Sequence, residues 1–188
     1  LPALPRVISF NDLEPNRDVP YQAADCYLPF LSGRRLLLIT SPAELLASRA
    51  TEGTFESVWA NINCPWFSPA SVEPLAFPSL FDAHHMASRA TSLDLLSEVC
   101  KQVAATDFDI ALIAASSLGI PIASYVKNLG KVGISLGGHL QVVFGVQGKR
   151  WRDDPEWQDT YWNDSWIDMP IEFTPQGRRW HVDDGAFW

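Results

Sequence analysis

An α/β fold built on a mostly parallel sheet with helices on both faces is what the sequence predicts, on three observations. Phe108 to Gln141 runs as an apolar segment, a small-residue turn, a helical stretch and a second apolar segment, which is the order of a βαβ unit. Within it Ile110 to Ala115 is apolar without alternation, as suits a strand covered on both faces. Arg34 to Thr40, with Leu36-Leu37-Leu38-Ile39 at its centre, has the same character and leads into helix-start chemistry. Together these give a Rossmann-like architecture. One domain over 1–188 is expected, because 188 residues at 47% hydrophobic and 19% charged composition supply one core and are too apolar for disorder.

Residues 1–20 carry Pro2, Pro5, Pro15 and Pro20 around the short apolar run Val7-Ile8-Ser9-Phe10, which reads as an irregular lead-in with at most one short strand. Tyr21 to Leu31 reads as a helix kinked near Pro29, with Gly33 as its left-handed terminator. After the strand at Arg34 to Thr40, Ser41-Pro42-Ala43-Glu44 starts a helix to about Ala50, with Ser41 as cap and Glu44 reaching back. The pattern weakens from Thr51 to Ala90, although Val72 to Phe77 reads as a strand that Pro74, having no N–H, confines to a sheet edge. Thr91 caps the next helix, on which Leu93, Leu96, Val99, Cys100 and Val103 form the apolar stripe opposite Lys101 and Gln102. In the βαβ unit the helix spans about Leu118 to Leu129, with Ile122, Val126 and Leu129 inward, Pro121 tolerated in its first turn and Gly130 ending it. A short helix from Leu140 to Phe144 stops at Gly145. Lys149 to Trp188 then holds Trp151, Trp157, Trp162, Trp166, Trp180 and Trp188, too many large aromatics for a disordered tail. It reads as an ordered, irregular segment wrapped over the sheet or over a partner.

Charge and cysteines narrow the function classes. A formal net charge of −8 argues against a nucleic-acid partner, whose binders show basic stripes. Cys26, Cys64 and Cys100 are odd in number and widely spaced, which indicates neither a disulfide framework nor a zinc site and points to a reducing cytoplasm. No apolar run approaches the ~20 residues needed to cross a bilayer. The N-terminus lacks a signal-peptide pattern, and a start at Leu1 rather than Met points to processing or to a longer parent chain.

Candidate chemistry concentrates at two turns. Ser116, Ser117 and Gly119 occupy the strand-to-helix turn, where small residues let a phosphate or sugar nucleotide approach backbone N–H groups; the alternative is an ordinary tight turn. The turn is neither a dinucleotide fingerprint nor a P-loop. Gly137, Gly138, His139 and Gln141 follow the next strand at the same sheet end, with the glycines allowing close approach and His139 and Gln141 offering hydrogen bonds; local packing of His139 is the competing reading. Lys149 and Arg150, with Trp151 and Arg152, can clamp a diphosphate or form a solvated basic turn. Asp12 and Glu14 have the spacing of a DxE pair that can hold a divalent ion between phosphates. His84-His85 and Asp183-Asp184 are adjacent pairs whose side chains diverge, and hydrolase motifs are absent.

The run Asp109-Ile-Ala-Leu-Ile-Ala-Ala-Ser-Ser-Leu-Gly119, followed by Leu136-Gly-Gly-His-Leu-Gln-Val-Val-Phe-Gly145, Gly148-Lys-Arg-Trp151 and a closing Gly185-Ala-Phe-Trp188, resembles bacterial proteins of surface-polysaccharide loci related to GT-D-type glycosyltransferases. The resemblance covers about residues 31–188 and implies a sugar nucleotide as donor substrate, a divalent metal (Mn or Mg) and a role in polysaccharide or glycan assembly. GT-D enzymes carry an N-terminal Arg-Tyr/Phe-Gly-Asp-Gly-Glu segment, whereas this chain has Ser9-Phe10-Asn11-Asp12-Leu13-Glu14, without both glycines and the arginine. Two functions follow as expectations. One is a glycosyltransferase or its nucleotide-binding domain; the other is a non-catalytic module that binds a nucleotide, a glycan or a protein, with the tryptophan-rich tail as the surface for a glycan acceptor or protein partner.

Overall fold

The computed structural model describes residues 27–51, 53–61, 67–78, 91–174 and 185. Its centre is an all-parallel sheet of β1 (Arg35–Thr40), β2 (Ser71–Ala76), β3 (Ile110–Ala114) and β4 (Val132–Ser135) in the order β2-β1-β3-β4. Register places Leu36 against Ile110, Leu38 against Leu112 and Ile110 against Val132. This is the α/β, Rossmann-like fold that the sequence predicts.

The lack of alternation in β1 and β3 has a direct cause, since both sheet faces are covered. Leu37, Ile39, Ala111 and Ile113 face the buried stripes of the helices Ser92–Ala105 and Gly119–Asn128. Leu36, Leu38, Ile110 and Leu112 face an aromatic layer from other parts of the chain. Pro74 sits opposite Leu38 in β2, the outermost strand on that side among the described residues, where a missing N–H costs no ladder bond to a further strand.

The helices are α1 (Ala43–Arg49), α2 (Thr54–Val58), α3 (Ser92–Ala105), α4 (Gly119–Asn128), α5 (His139–Val143), α6 (Lys149–Arg152) and α7 (Pro155–Tyr161). Thr91 caps α3 as expected, its Oγ1 accepting from the Asp94 N–H at 3.2 Å while its hydroxyl donates to the Asp94 carboxylate at 2.8 Å. The buried stripe of α3 is Leu95, Val99 and Val103, however, and Leu93 is 72% exposed. The buried stripe runs at intervals of four from Leu95, which leaves Leu93 about 200° around the helix from it, on the solvent side. Ser41 does not cap α1; Pro42 holds the cap position without a side-chain bond. Of the helix expected at Tyr21 to Leu31, the described part is a single 3₁₀ turn, Leu28–Leu31, with Pro29 in its first turn. The lead-in at 1–20 lies outside the described residues.

The segment expected to be irregular after Lys149 contains α6 and α7. Asp154 starts α7, its side chain accepting from the N–H groups of Glu156 and Trp157, with Pro155 at the first helical position. Then β6 (Ile167–Asp168) pairs in parallel with β5 (Val146–Gln147). Trp151, Trp157 and Trp166 are buried with Trp59 and Tyr161, and Trp180 and Trp188 lie outside the described residues. Trp166 Nε1 donates to Val58 O at 2.9 Å, Asn163 Nδ2 to the same carbonyl at 3.2 Å, and Trp59 Nε1 to Val143 O at 3.3 Å. Arg49 ties α1 to this layer, with Nε donating to Phe144 O at 2.6 Å and Nη2 to Ser165 O at 2.5 Å. Arg49→Ala leaves two carbonyls without these donors, so a loss of about 2 kcal/mol or more is expected in urea titration.

At the start of the sheet Arg35 holds Asp109. Oδ2 accepts from the Arg35 backbone N–H at 2.9 Å and from Nε at 3.3 Å, and Oδ1 from Nη2 at 2.7 Å, while Nη1 pairs with Asp107. The hydrogen bonds from the Arg35 side chain and then from its backbone N–H lower the Asp109 pKa to about 2. A carboxylate whose folded pKa is depressed stabilises the fold above the unfolded value and loses that contribution as pH falls through the folded one. A melting temperature that falls between about pH 4 and pH 2 is therefore expected, with a smaller slope in Asp109→Asn.

Candidate functional site

The chain leaves β1 for β2 on one side and later crosses back to place β3 and β4 on the other, so the strand order reverses between β1 and β3. In open parallel sheets the crevice beyond the carboxyl ends of such a strand pair is where ligands bind. Its two walls here are the turn after β1, Ser41-Pro42, and the turn after β3, Ala115 to Leu118.

The β3 turn has unusual local geometry. Ser116 has φ +48°, the single non-glycine residue with positive φ among the described residues, and it opens a 3₁₀ turn, Ser116–Leu118, that runs directly into α4. Leu118 donates its N–H to Ala115 O and Gly119 donates to Ser116 O. The N–H groups of Ser116 and Ser117, both exposed, make no hydrogen bond among the described residues. Gly119 differs from its expected role because its N–H is spent within the turn. Packing is close there: a Cβ would stand 2.6 Å from Ser135 Oγ, so a larger residue needs that hydroxyl to rotate away.

The turn after β4 lies beside this one. Leu136 and Gly137 both donate to Ile113 O, at 2.8 and 3.3 Å, and Gly137 has φ +57°. Gly138 is half-buried at the start of α5. His139 and Gln141, expected to face a ligand, are only 9% and 7% exposed. The His139 ring meets Trp151 edge to face, with centroids 6.0 Å apart, because α5 turns toward the aromatic layer and not toward the strand ends. Lys149 is half-buried and Arg150 exposed on α6, the helix that Trp151 anchors against His139. Asp12 and Glu14 lie outside the described residues. Among the described residues no group of three or more His, Cys, Asp or Glu side chains is arranged to hold a metal ion, and no helix is long and apolar enough to cross a membrane.

Thr40 and Ser41 escaped the sequence reading. Thr40 is buried and its carbonyl accepts the Phe77 N–H at 2.9 Å, which fixes the end of β1 against the end of β2; Ser41 is exposed at the mouth of the turn. Only the strand order identifies β1 as a wall of the crevice, and no local motif encodes that order.

These features define an α/β protein of Rossmann-like architecture with a topological switch point between β1 and β3. No family model matches the chain, and no curated protein or solved structure matches it either.

Proposed function

We propose that the chain is a sugar-nucleotide-dependent glycosyltransferase of GT-D-like type, or the nucleotide-binding domain of one, working in the cytoplasm on polysaccharide or glycan assembly. The observation that carries this reading is the Ser116 turn, a left-handed serine with two exposed, unspent N–H groups at the topological switch point. The resemblance of Leu136-Gly137-Gly138 and Gly148-Lys149-Arg150-Trp151 to GT-D-related proteins supports it from the sequence side.

In this reading the Ser116 and Ser117 N–H groups and the Ser41 and Ser117 hydroxyls bind the diphosphate. Gly137 and Gly138 leave room for the nucleoside or sugar, and Lys149 and Arg150 offset the charge that grows on the leaving diphosphate. Asp12 and Glu14 would supply the ligands for a divalent ion, which screens the same charge when bound; no step is routed through it. The Ser9 to Glu14 segment lacks the glycines and arginine of the GT-D pattern, which favours a second reading, a module that binds the nucleotide without turnover.

The test is a thermal-shift titration against UDP-, GDP-, CMP- and dTDP-sugars with Mn or Mg, on the wild-type chain, Ser117→Trp and Gly138→Trp. One nucleotide is expected to raise the melting temperature by roughly 4–10 °C at a hundredfold excess over Kd, and the shift to vanish in Ser117→Trp. Hydrolysis or transfer of the bound sugar selects the enzyme, and binding without turnover selects the module. No shift with any nucleotide overturns both.

A further inference from the structure

The amino ends of the parallel strands, opposite the switch-point turns, carry a second feature that the proposed transferase chemistry does not use. The 3₁₀ turn Leu28–Leu31 and the starts of β3 and β4 enclose a recess of about 380 Å³. That volume lies within the range of small-molecule sites. Phe30, Leu31, Val132 and Ile134 supply apolar wall, and Arg34 stands at the rim. Phe30 and Val132 remain 72% and 52% exposed, a contiguous apolar surface beside a concavity.

Charge bookkeeping at the rim decides which ligand fits. Asp109 also lines the recess, but Arg35 occupies both of its carboxylate oxygens, as described above. Asp107 pairs with the same arginine, and Lys131 is turned away, 3.9 Å above the Phe108 ring. Among the described residues the Arg34 guanidinium makes no hydrogen bond or close ion pair, although its charge reaches Asp109 and helps to hold that carboxyl down. A planar fork of N–H donors bonded to none of the described residues thus stands at the edge of an apolar hollow, the arrangement that suits a carboxylate on a hydrophobic body.

We propose that this recess binds a small amphipathic carboxylate, its alkyl or aryl body against Phe30, Leu31, Val132 and Ile134 and its carboxylate on Arg34. The site is separate from the crevice between β1 and β3, so its fate is independent of the nucleotide reading.

Isothermal titration of the full chain with octanoate, 3-phenylpropionate, octanol and octylamine tests it, with Arg34→Gln and Val132→Glu as variants at exposed positions. Octanoate or phenylpropionate is expected to bind about tenfold or more tightly than octanol, the gain of a charge-assisted fork. That ratio should fall to about one in Arg34→Gln, Val132→Glu should abolish carboxylate binding, and octylamine, whose ammonium Arg34 repels, should bind the wild-type chain no better than octanol. Sugar-nucleotide shifts should be unchanged in both variants, which separates failure here from failure of the transferase reading. Equal affinity for octanol and octanoate, or no effect of Arg34→Gln, overturns the proposal. So does a loss of self-association in Phe30→Asp on sedimentation with no carboxylate bound, which would make the recess an interface between copies of the chain.

Discussion

Gly145→Ala is expected to lower stability by about 3–5 kcal/mol, enough to leave a domain of ordinary stability close to unfolding. Two costs combine at this position. Gly145 has φ +69°, a conformation that costs an L-residue about 1–2 kcal/mol. A Cβ would also stand 2.5 Å from Val58 Cγ2 and 2.9 Å from Arg49 Nη2. Neither neighbour can yield freely. Val58 is fully buried and its carbonyl accepts from Trp166 and Asn163, while Arg49 is committed to Phe144 and Ser165. Guanidinium denaturation is the check, with the midpoint falling at unchanged m if the native state keeps its form. Gly33→Ala is the control, because that glycine has φ +69° with open space around it and isolates the backbone term.

Trp166→Ala is expected to cost about 3–5 kcal/mol, the range for deleting a large buried aromatic. The indole is 3% exposed, meets Trp59 and Trp157 edge to face at 5.1 and 5.9 Å, and gives its N–H to Val58 O. Removing it opens a cavity between two other tryptophans and leaves Asn163 Nδ2 as the remaining donor to the Val58 carbonyl. Trp166→Phe should recover part of the loss by refilling the volume without the hydrogen bond. Near-ultraviolet circular dichroism would report the same change directly, because the aromatic layer is the main source of that signal. An alanine variant that unfolds at the wild-type midpoint would show that the layer contributes little to the fold.

What the residues disclose in advance follows from where constraint is local. β1, β3 and the α4 helix were readable because burial on both sheet faces forces unbroken apolar runs, and because Gly130 and Thr91 end and start helices by backbone chemistry that travels with the residue. The phase of α3 is not legible, because Leu93, Leu95 and Leu96 crowd one turn and their spacing alone does not say which of them the sheet covers. The α7 helix has its signal in Asp154-Pro155-Glu156 and in Trp157 and Tyr161 four apart, a pattern of two turns that is too short to stand out as a helical period. At the candidate site the Ser116 turn could be found from composition alone. The burial of His139 could not, because it depends on Trp151 reaching back to α5, and that of Gln141 depends equally on how α5 packs. Nor could the role of Ser41, which exists only through the order β2-β1-β3-β4.

The contacts that complete the aromatic layer join positions far apart in the chain, as with the Trp166 indole on the Val58 carbonyl. On the ribosome, β1 to β4 and the helices α3 and α4 emerge with Leu28, Leu46, Phe55 and Trp59 already available to the face of Leu36, Leu38 and Leu112, but before Phe144, Trp151, Trp157 and Trp166 complete its cover. For that interval the nascent chain displays one finished sheet face and one half-covered face, a sticky intermediate whose safety depends on a chaperone or on the speed of elongation. Synonymous codons that slow translation between Gly145 and Trp166 would then reduce the yield of native protein without altering a single residue.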